Sequence, residues 1–149
     1  MKDVSKQALI DLNTSFYETV AQSFDSSRQF FWEGWEKLIP IIPQDKKISV
    51  LDIACGNGRF AAWLAKKNFN TENYLGLDNN SSLLQKAQEL SLPLTATFEH
   101  TDILEKNFSK LSEKIANKKF DLIVAFGFFH HIPGQATRQK FVNTLAEHL

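Results

Sequence analysis

The sequence predicts an α/β protein, a doubly wound and mostly parallel sheet preceded by a helical extension. Three observations predict it. Short apolar runs alternate with helical stretches from about residue 46 onward, the first three runs each carry an aspartate at their end, and a glycine turn comes after the first of them. In such sheets ligands meet the carboxyl ends of the strands, so the search for function narrows to the residues just past each run.

The elements come in order. Leu9, Leu12, Phe16, Val20 and Phe24 recur at helical spacing until Asp25-Ser26-Ser27 breaks the stripe. A second helical stretch carries Phe31, Trp35, Leu38 and Ile39 and ends at Pro40 and Pro43. These two make an extension over residues 1–45, on the lid or substrate side of a domain over 46–149. Ile48 to Ala54 (ISVLDIA) reads as a buried strand, and Phe60, Trp63 and Leu64 lie on one side of the helix after it. Tyr74 to Leu77 is a second strand ending in Asp78, and Ser81 can cap a helix whose inner face holds Leu83, Leu84, Ala87 and Leu90. Thr95 to Thr101 alternates as a third strand before Asp102, and Phe108, Leu111 and Ile115 mark a helix. Phe120 to Phe126 (FDLIVAF) is the fourth and most apolar strand, succeeded by a helix over about 135–148 with Phe141, Val142, Leu145 and Leu149 on one side.

Composition excludes several classes. At 43% hydrophobic and 23% charged residues, with 13 Phe and 3 Trp, the chain builds a core rather than staying disordered. Seventeen basic residues balance seventeen acidic ones, which argues against a nucleic-acid-coating surface while leaving room for a local patch. One cysteine forms no internal disulfide, the chain has no apolar run of the ~18 residues a membrane helix needs, and its N-terminus is too polar for a signal peptide. A cytoplasmic location with no membrane partner is expected.

At the strand ends, Gly56 and Gly58 let the backbone turn tightly and a ligand approach it. Asp78 stands where a carboxylate accepts from two ribose hydroxyls, and Asp102 with Ile103 can meet an adenine amino group and ring. A cationic group near Asp52, a ribose near Asp78 and an adenine near Asp102 together describe S-adenosylmethionine. A dinucleotide needs a loop that receives pyrophosphate, which Asp52 repels.

VLDIACGNGRF, YLGLD, HTDILE and FDLIVAFGFFHHIPG resemble, in order and spacing, the motifs of class I S-adenosylmethionine-dependent methyltransferases, over about residues 47–149. FYETVAQSFDSSRQFFW, with GNGRF and FFHHIPG, is similar to the branch of the tRNA wobble-uridine carboxymethyl methyltransferases. The resemblance implies a Rossmann-like domain in which Asp52, Ala54, Gly56 and Gly58 border the methionine part of the cofactor. It further implies Asp78 and Asn79 at the ribose, Asp102 and Ile103 at the adenine, and Phe126 and Gly127 beneath the sulfonium. Ala54 departs from the family's usual glycine. Phe126-Gly127-Phe128-Phe129 replaces the Asn/Asp-Pro-Pro-aromatic motif of exocyclic-amine methylation, which disfavours adenine or cytosine amines as acceptors.

His130 and His131 come after the fourth strand at the methyl end, where His130 is the candidate to accept a proton and His131 to touch substrate; loop packing is the competing account. Arg28 and Trp32 are candidate substrate contacts, against plain packing of the extension. Cys55 reads as a small packing residue, the lysines from Lys106 to Lys119 as a solvated face, and no Cys/His spacing supports a metal. The acceptor, a modified tRNA uridine or a small molecule, is not specified. The resemblance also implies more strands than the chain supplies, so a truncated domain that self-associates through an uncovered sheet edge is expected. A non-catalytic cofactor-binding remnant or partner-dependent subunit is the alternative, and an NAD-dependent oxidoreductase the weaker one.

Overall fold

The computed structural model describes residues 8–12, 15–16, 19 and 30–149, with Lys106 described by its backbone alone. Residues 8–12, 15–16 and 19 are helical, in keeping with the first stripe, but Leu9, Leu12 and Phe16 are exposed rather than packed inward. Arg28 lies outside the described residues.

A 3₁₀ helix over Glu33–Leu38 takes the place of the second expected helix. Here the Trp32 ring folds over the backbone where a Cβ on Gly34 would stand, 2.6 Å from the nearest ring atom, so only glycine fits that position. The sheet comes next: β1 (Ile48–Ile53), α1 (Arg59–Lys66), β2 (Thr71–Asp78), α2 (Ser81–Gln88), β3 (Ala96–His100), a 3₁₀ turn over Glu105–Phe108, α3 (Ser109–Ile115), β4 (Leu122–Val124), a 3₁₀ turn over Phe129–His131 and α4 (Gln135–Ala146). The four strands are all parallel, in the order β3-β2-β1-β4. The chain winds outward from β1 through β2 to β3 and then returns to the far side of β1. That reversal opens a crevice at the carboxyl ends of β1 and β4.

Alternation along the strands sorts the side chains into two cores. Ile48, Val50 and Tyr74 face a layer made by Trp35, Phe60, Trp63, Leu64, Leu84 and Ala87. Leu51, Ile53, Leu75 and Leu77 face Phe108, Leu111, Ile115, Phe141 and Leu145. Asp52 shares the parity of Val50 and therefore stands on the first face, beside Tyr74.

Several local expectations are corrected. The fourth strand is three residues long, because β4 pairs with β1 only from Leu122 to Val124 while the Phe120 amide donates instead to the His148 carbonyl. Among the described residues no strand pairs with its other side. The cap of α2 is Asn80, whose side chain accepts from the Leu83 amide at 3.0 Å, not Ser81, which is the first helical residue. Leu90 lies beyond the end of α2 and is exposed, as are Val142 and Leu149 in the last stripe. The lysine row keeps its solvated face, with Lys110, Lys118 and Lys119 exposed, and part of it is also partnered: Lys114 pairs with Glu99 at 2.5 Å, Lys110 lies 3.8 Å from Glu113, and Lys119 donates to the carbonyls of Glu147 and Leu149. No helix among the described residues is long and apolar enough to cross a membrane.

Candidate functional site

The turn after β1 forces an unusual backbone. Ala54 has φ 60°, Gly56 φ 55° and Gly58 φ 77°. Glycine suits the last of these doubly, because a Cβ on Gly58 would lie 2.9 Å from Leu90 Cδ1 and 3.1 Å from both Ala87 Cβ and Phe98 Cζ. Close packing of the turn on α2 thus requires its absence. Above Gly56 the nearest atom to such a Cβ is Leu83 Cδ1 at 3.8 Å, so that side of the turn is open.

Asp78 ties this turn to the end of β2. Its Oδ2 accepts from the Gly56 amide and its Oδ1 from the Asn80 amide, both at 2.8 Å. Burial pushes its carboxyl above the usual range, opposed by the amides of Asn80, Gly56 and Asn79. Asp52, on β1, accepts a short hydrogen bond from the Tyr74 hydroxyl. Burial raises its pKa to about 7, the Tyr74 bond works against that rise, and the charge of Asp78 adds to it. Asp102, after β3, is half-buried and accepts from the Leu104 amide at 3.1 Å, while Ile103 is buried beside it.

These elements meet around one cleft of about 150 Å³. Of the residues singled out from the sequence, Asp52, Ala54, Gly56, Asp78, Asn79, Asp102, Ile103, Phe126, Gly127 and His131 all line it. Gly58 supports the turn from behind. Trp32 stays largely exposed and meets the lining residue Phe126 edge-on, with ring centroids 6.0 Å apart. His130 is exposed and does not line the cleft; its ring lies 3.8 Å from that of His131. Burial, and then the neighbouring His130, hold the His131 pKa below its ordinary 6.5. Cys55 is buried with its thiol pushed well up by burial, which makes it a packing residue rather than a nucleophile.

One wall is aromatic. Phe126 packs on Phe60 and Trp35 with centroids 5.0 and 5.5 Å away. The buried Trp35 Nε1 has no hydrogen-bond partner among the described residues. Gly127, at φ 65°, has nothing within 4 Å of where a Cβ would stand, so a side chain there would project into open space at the cleft. Sequence reasoning missed Arg59, Asn57, Leu83 and Leu104 as lining residues, and Ile10 from the N-terminal helix. Arg59 and Asn57 stand inside the glycine motif and were findable there; the leucines and Ile10 become visible only in three dimensions. No group of three or more His, Cys, Asp or Glu that could hold a metal ion occurs among the described residues.

Known proteins share this outline. Carboxy-S-adenosyl-L-methionine synthase of Helicobacter pylori strain G27 is 27% identical over 157 aligned residues, which take in 98% of this chain and 63% of the relative. The synthase of strain HPAG1 is 26% identical over the same shares. The chain therefore spans less than two thirds of the length of the curated relatives it matches. Among solved structures, the plantazolicin methyltransferase BpumL, in complex with a pentazolic desmethylPZN analog and SAH, matches with a TM-score of 0.65 at 20% identity, over 97% of this chain and 55% of that one. A TehB-like methyltransferase from Corynebacterium glutamicum matches with a TM-score of 0.59 at 20% identity, over 96% and 68%. These likenesses show a shared fold. A model of the methyltransferase domain matches residues 51–149, from within β1 through α4, and so takes in every strand end that meets the cleft. The chain belongs to the methyltransferase domain family.

Proposed function

We propose that the cleft binds S-adenosylmethionine and that the protein transfers its methyl group to an acceptor entering past Phe126, Gly127 and His131. The carrying observation is the convergence of Asp52, Asp78 and Asp102 on one cleft floored by an open glycine turn. The residues fit the cofactor. Asp52 would hold its ammonium, Asp78 keeps acceptor capacity for the ribose hydroxyls beyond its bonds to the Gly56 and Asn80 amides, and Ile103 and Leu83 would border the adenine. The cofactor supplies an electrophilic methyl carbon already activated by its sulfonium charge. The protein's part is alignment and exclusion of water. The aromatic wall of Phe126, Phe60 and Trp35 keeps that end of the cleft dry, and His131, held neutral, can accept a proton where the acceptor carries one. Trp32, edge-on to Phe126, stands on the acceptor side.

The test is calorimetric. S-adenosylhomocysteine binds and NAD does not, and Asp78→Ala weakens binding by roughly 1–3 kcal/mol, the scale of hydrogen bonds to a charged acceptor. Equal affinity of wild type and variant removes Asp78 from the site. Acceptor class is resolved by monitoring S-adenosylhomocysteine release with unfractionated tRNA and, separately, with small-molecule pools.

A second reading comes from the Helicobacter pylori relatives, whose name makes a carboxylated S-adenosylmethionine their product. It keeps the same cofactor cleft and alters the fate of the cofactor. Mass spectrometry of the turned-over cofactor separates the two readings, since one demethylates it and the other enlarges it.

A further inference from the structure

Tyr74 has no part in the site as built from the strand ends. It is buried, packed with its ring centroid 5.8 Å from that of Phe98, and it does not line the cleft. Yet its hydroxyl donates to Oδ2 of Asp52, which does line the cleft. The sheet register makes this reach possible. Val50 pairs with Tyr74 and Asp52 with Gly76, so the tyrosine and the aspartate stand on one face, a residue pair apart. Gly76, directly beside Asp52, offers no side chain to compete. Among the described residues the Tyr74 hydroxyl is the one side-chain donor to Asp52.

We infer that Tyr74 is a positioning residue for the cofactor: its hydrogen bond favours and orients the Asp52 carboxylate, leaving the second carboxylate oxygen for the cofactor's α-ammonium. The inference rests on the reading that S-adenosylmethionine occupies the cleft, and it adds a residue that touches neither cofactor nor acceptor.

The electrostatics around Asp52 give the hydrogen bond its leverage. Burial and Asp78 both favour the neutral acid, and the Tyr74 bond is the influence that opposes them. Only the ionised carboxylate attracts an ammonium. Tyr74 itself stays a donor, because burial and then the charge of Asp52 hold its phenol well above its ordinary value. The other titratable or charged groups facing the cleft are Asp78 at the end of β2, Cys55 after β1, Arg59 of α1, Asp102 after β3 and His131 after β4, and His100 acts on Asp78. Replacing Tyr74 by Phe leaves all of these in place and removes only the hydroxyl. The proton then stays on Asp52 to a higher pH, and the ammonium has to displace it.

The experiment is a calorimetric titration of S-adenosylhomocysteine between pH 6 and 8.5 into wild type, Tyr74→Phe and Asp52→Asn, with 5′-methylthioadenosine, which lacks the amino-acid end, as the second probe. For wild type, S-adenosylhomocysteine affinity rises by about tenfold per pH unit below a midpoint and then levels off. For Tyr74→Phe the midpoint moves upward by at least about one pH unit, which weakens binding about tenfold at neutral pH and recovers it toward alkaline pH. For Asp52→Asn the profile is flat, and 5′-methylthioadenosine is indifferent both to pH and to Tyr74→Phe. Fluorotyrosine at position 74, a stronger donor with the same ring, moves the midpoint downward and serves where Tyr74→Phe fails to fold. An equal loss of affinity at every pH makes Tyr74 a packing residue and overturns the inference, as do coincident profiles. Wild type that binds no S-adenosylhomocysteine at any pH overturns the cofactor reading as well, whereas binding with an unshifted profile overturns this inference alone.

Discussion

Replacing Asp52 by Asn makes the ligand-free protein more stable at pH 8 and removes a decline in stability that wild type shows between pH 5 and pH 8. Asp52 is buried, and its pKa is raised from an ordinary 3.8 to about 7, first by burial. A carboxyl whose folded-state pKa is raised binds its proton more tightly in the native state. Its stabilising contribution is therefore complete below the unfolded value, fades as pH rises from about 4 toward 7, and is absent above that. The full gap corresponds to roughly 4 kcal/mol, of which roughly 2–3 kcal/mol falls between pH 5 and pH 8. Asparagine keeps the size of the side chain and an oxygen that accepts from Tyr74, but it carries no charge to desolvate. Other groups contribute as well, the raised Asp78 with the same sign and the lowered His131 with the opposite one, so the informative quantity is the difference between wild type and variant at each pH. Denaturant unfolding of both proteins at half-unit pH steps measures it. A difference that stays constant from pH 5 to pH 8, or an Asp52→Asn protein less stable than wild type at pH 8, would refute the reasoning, because either result means that Asp52 carries its charge in the folded apo protein without strain.

Three further outcomes are expected. Gly76→Ala destabilises the fold by about 1–3 kcal/mol in denaturant unfolding, the scale of overpacking, because the new Cβ would stand 2.7 Å from Phe98 Cδ1 and 2.9 Å from Cys55 Sγ. Ala54→Gly stabilises it by roughly 0.5–1 kcal/mol, since the left-handed φ of 60° strains alanine more than glycine's extra chain entropy weighs against the change; a loss of stability in the same assay would argue against that backbone. His131→Ala lowers methyl transfer to a proton-bearing acceptor by about a hundredfold while S-adenosylhomocysteine affinity holds, and His130→Ala has the smaller effect, since only His131 lines the cleft. The acid limb of the wild-type rate profile then lies below pH 6.5, as the lowered His131 pKa requires, and equal rates for all three proteins would assign both histidines to loop packing.

The strand ends were legible because their signals are local. An apolar run closing on Asp52, Asp78 or Asp102, and glycines two apart after the first run, mark a strand and a tight turn whatever the tertiary context. Topology then derives from alternation, since parallel strands need crossovers and these need helices. The features that failed to show in the sequence depend on neighbours distant in the chain. FDLIVAF is apolar apart from Asp121, yet only Leu122 to Val124 pair with β1, and the Phe120 amide turns to the His148 carbonyl instead. Leu9, Leu12 and Phe16 recur at helical spacing but are exposed, while Ile10, between them, reaches the cleft. The Asp52–Tyr74 bond is invisible in sequence for the same reason. It spans 22 positions and exists only because the register sets Val50 against Tyr74.

That register also bears on why the proposed ligand is a cation. Asp52 and Asp78 are both buried and both pushed toward neutrality by burial, and the charge of Asp78 disfavours ionisation of Asp52 further. An anionic dinucleotide entering there adds like charge at the site where charge is least screened. A sulfonium with an α-ammonium does the opposite, pairing with the ionised Asp52 and so offsetting part of the stability that is lost as pH rises toward 7. The electrostatic strain of the cleft and the cationic character of the proposed ligand therefore have one origin, two buried carboxylates at adjacent strand ends.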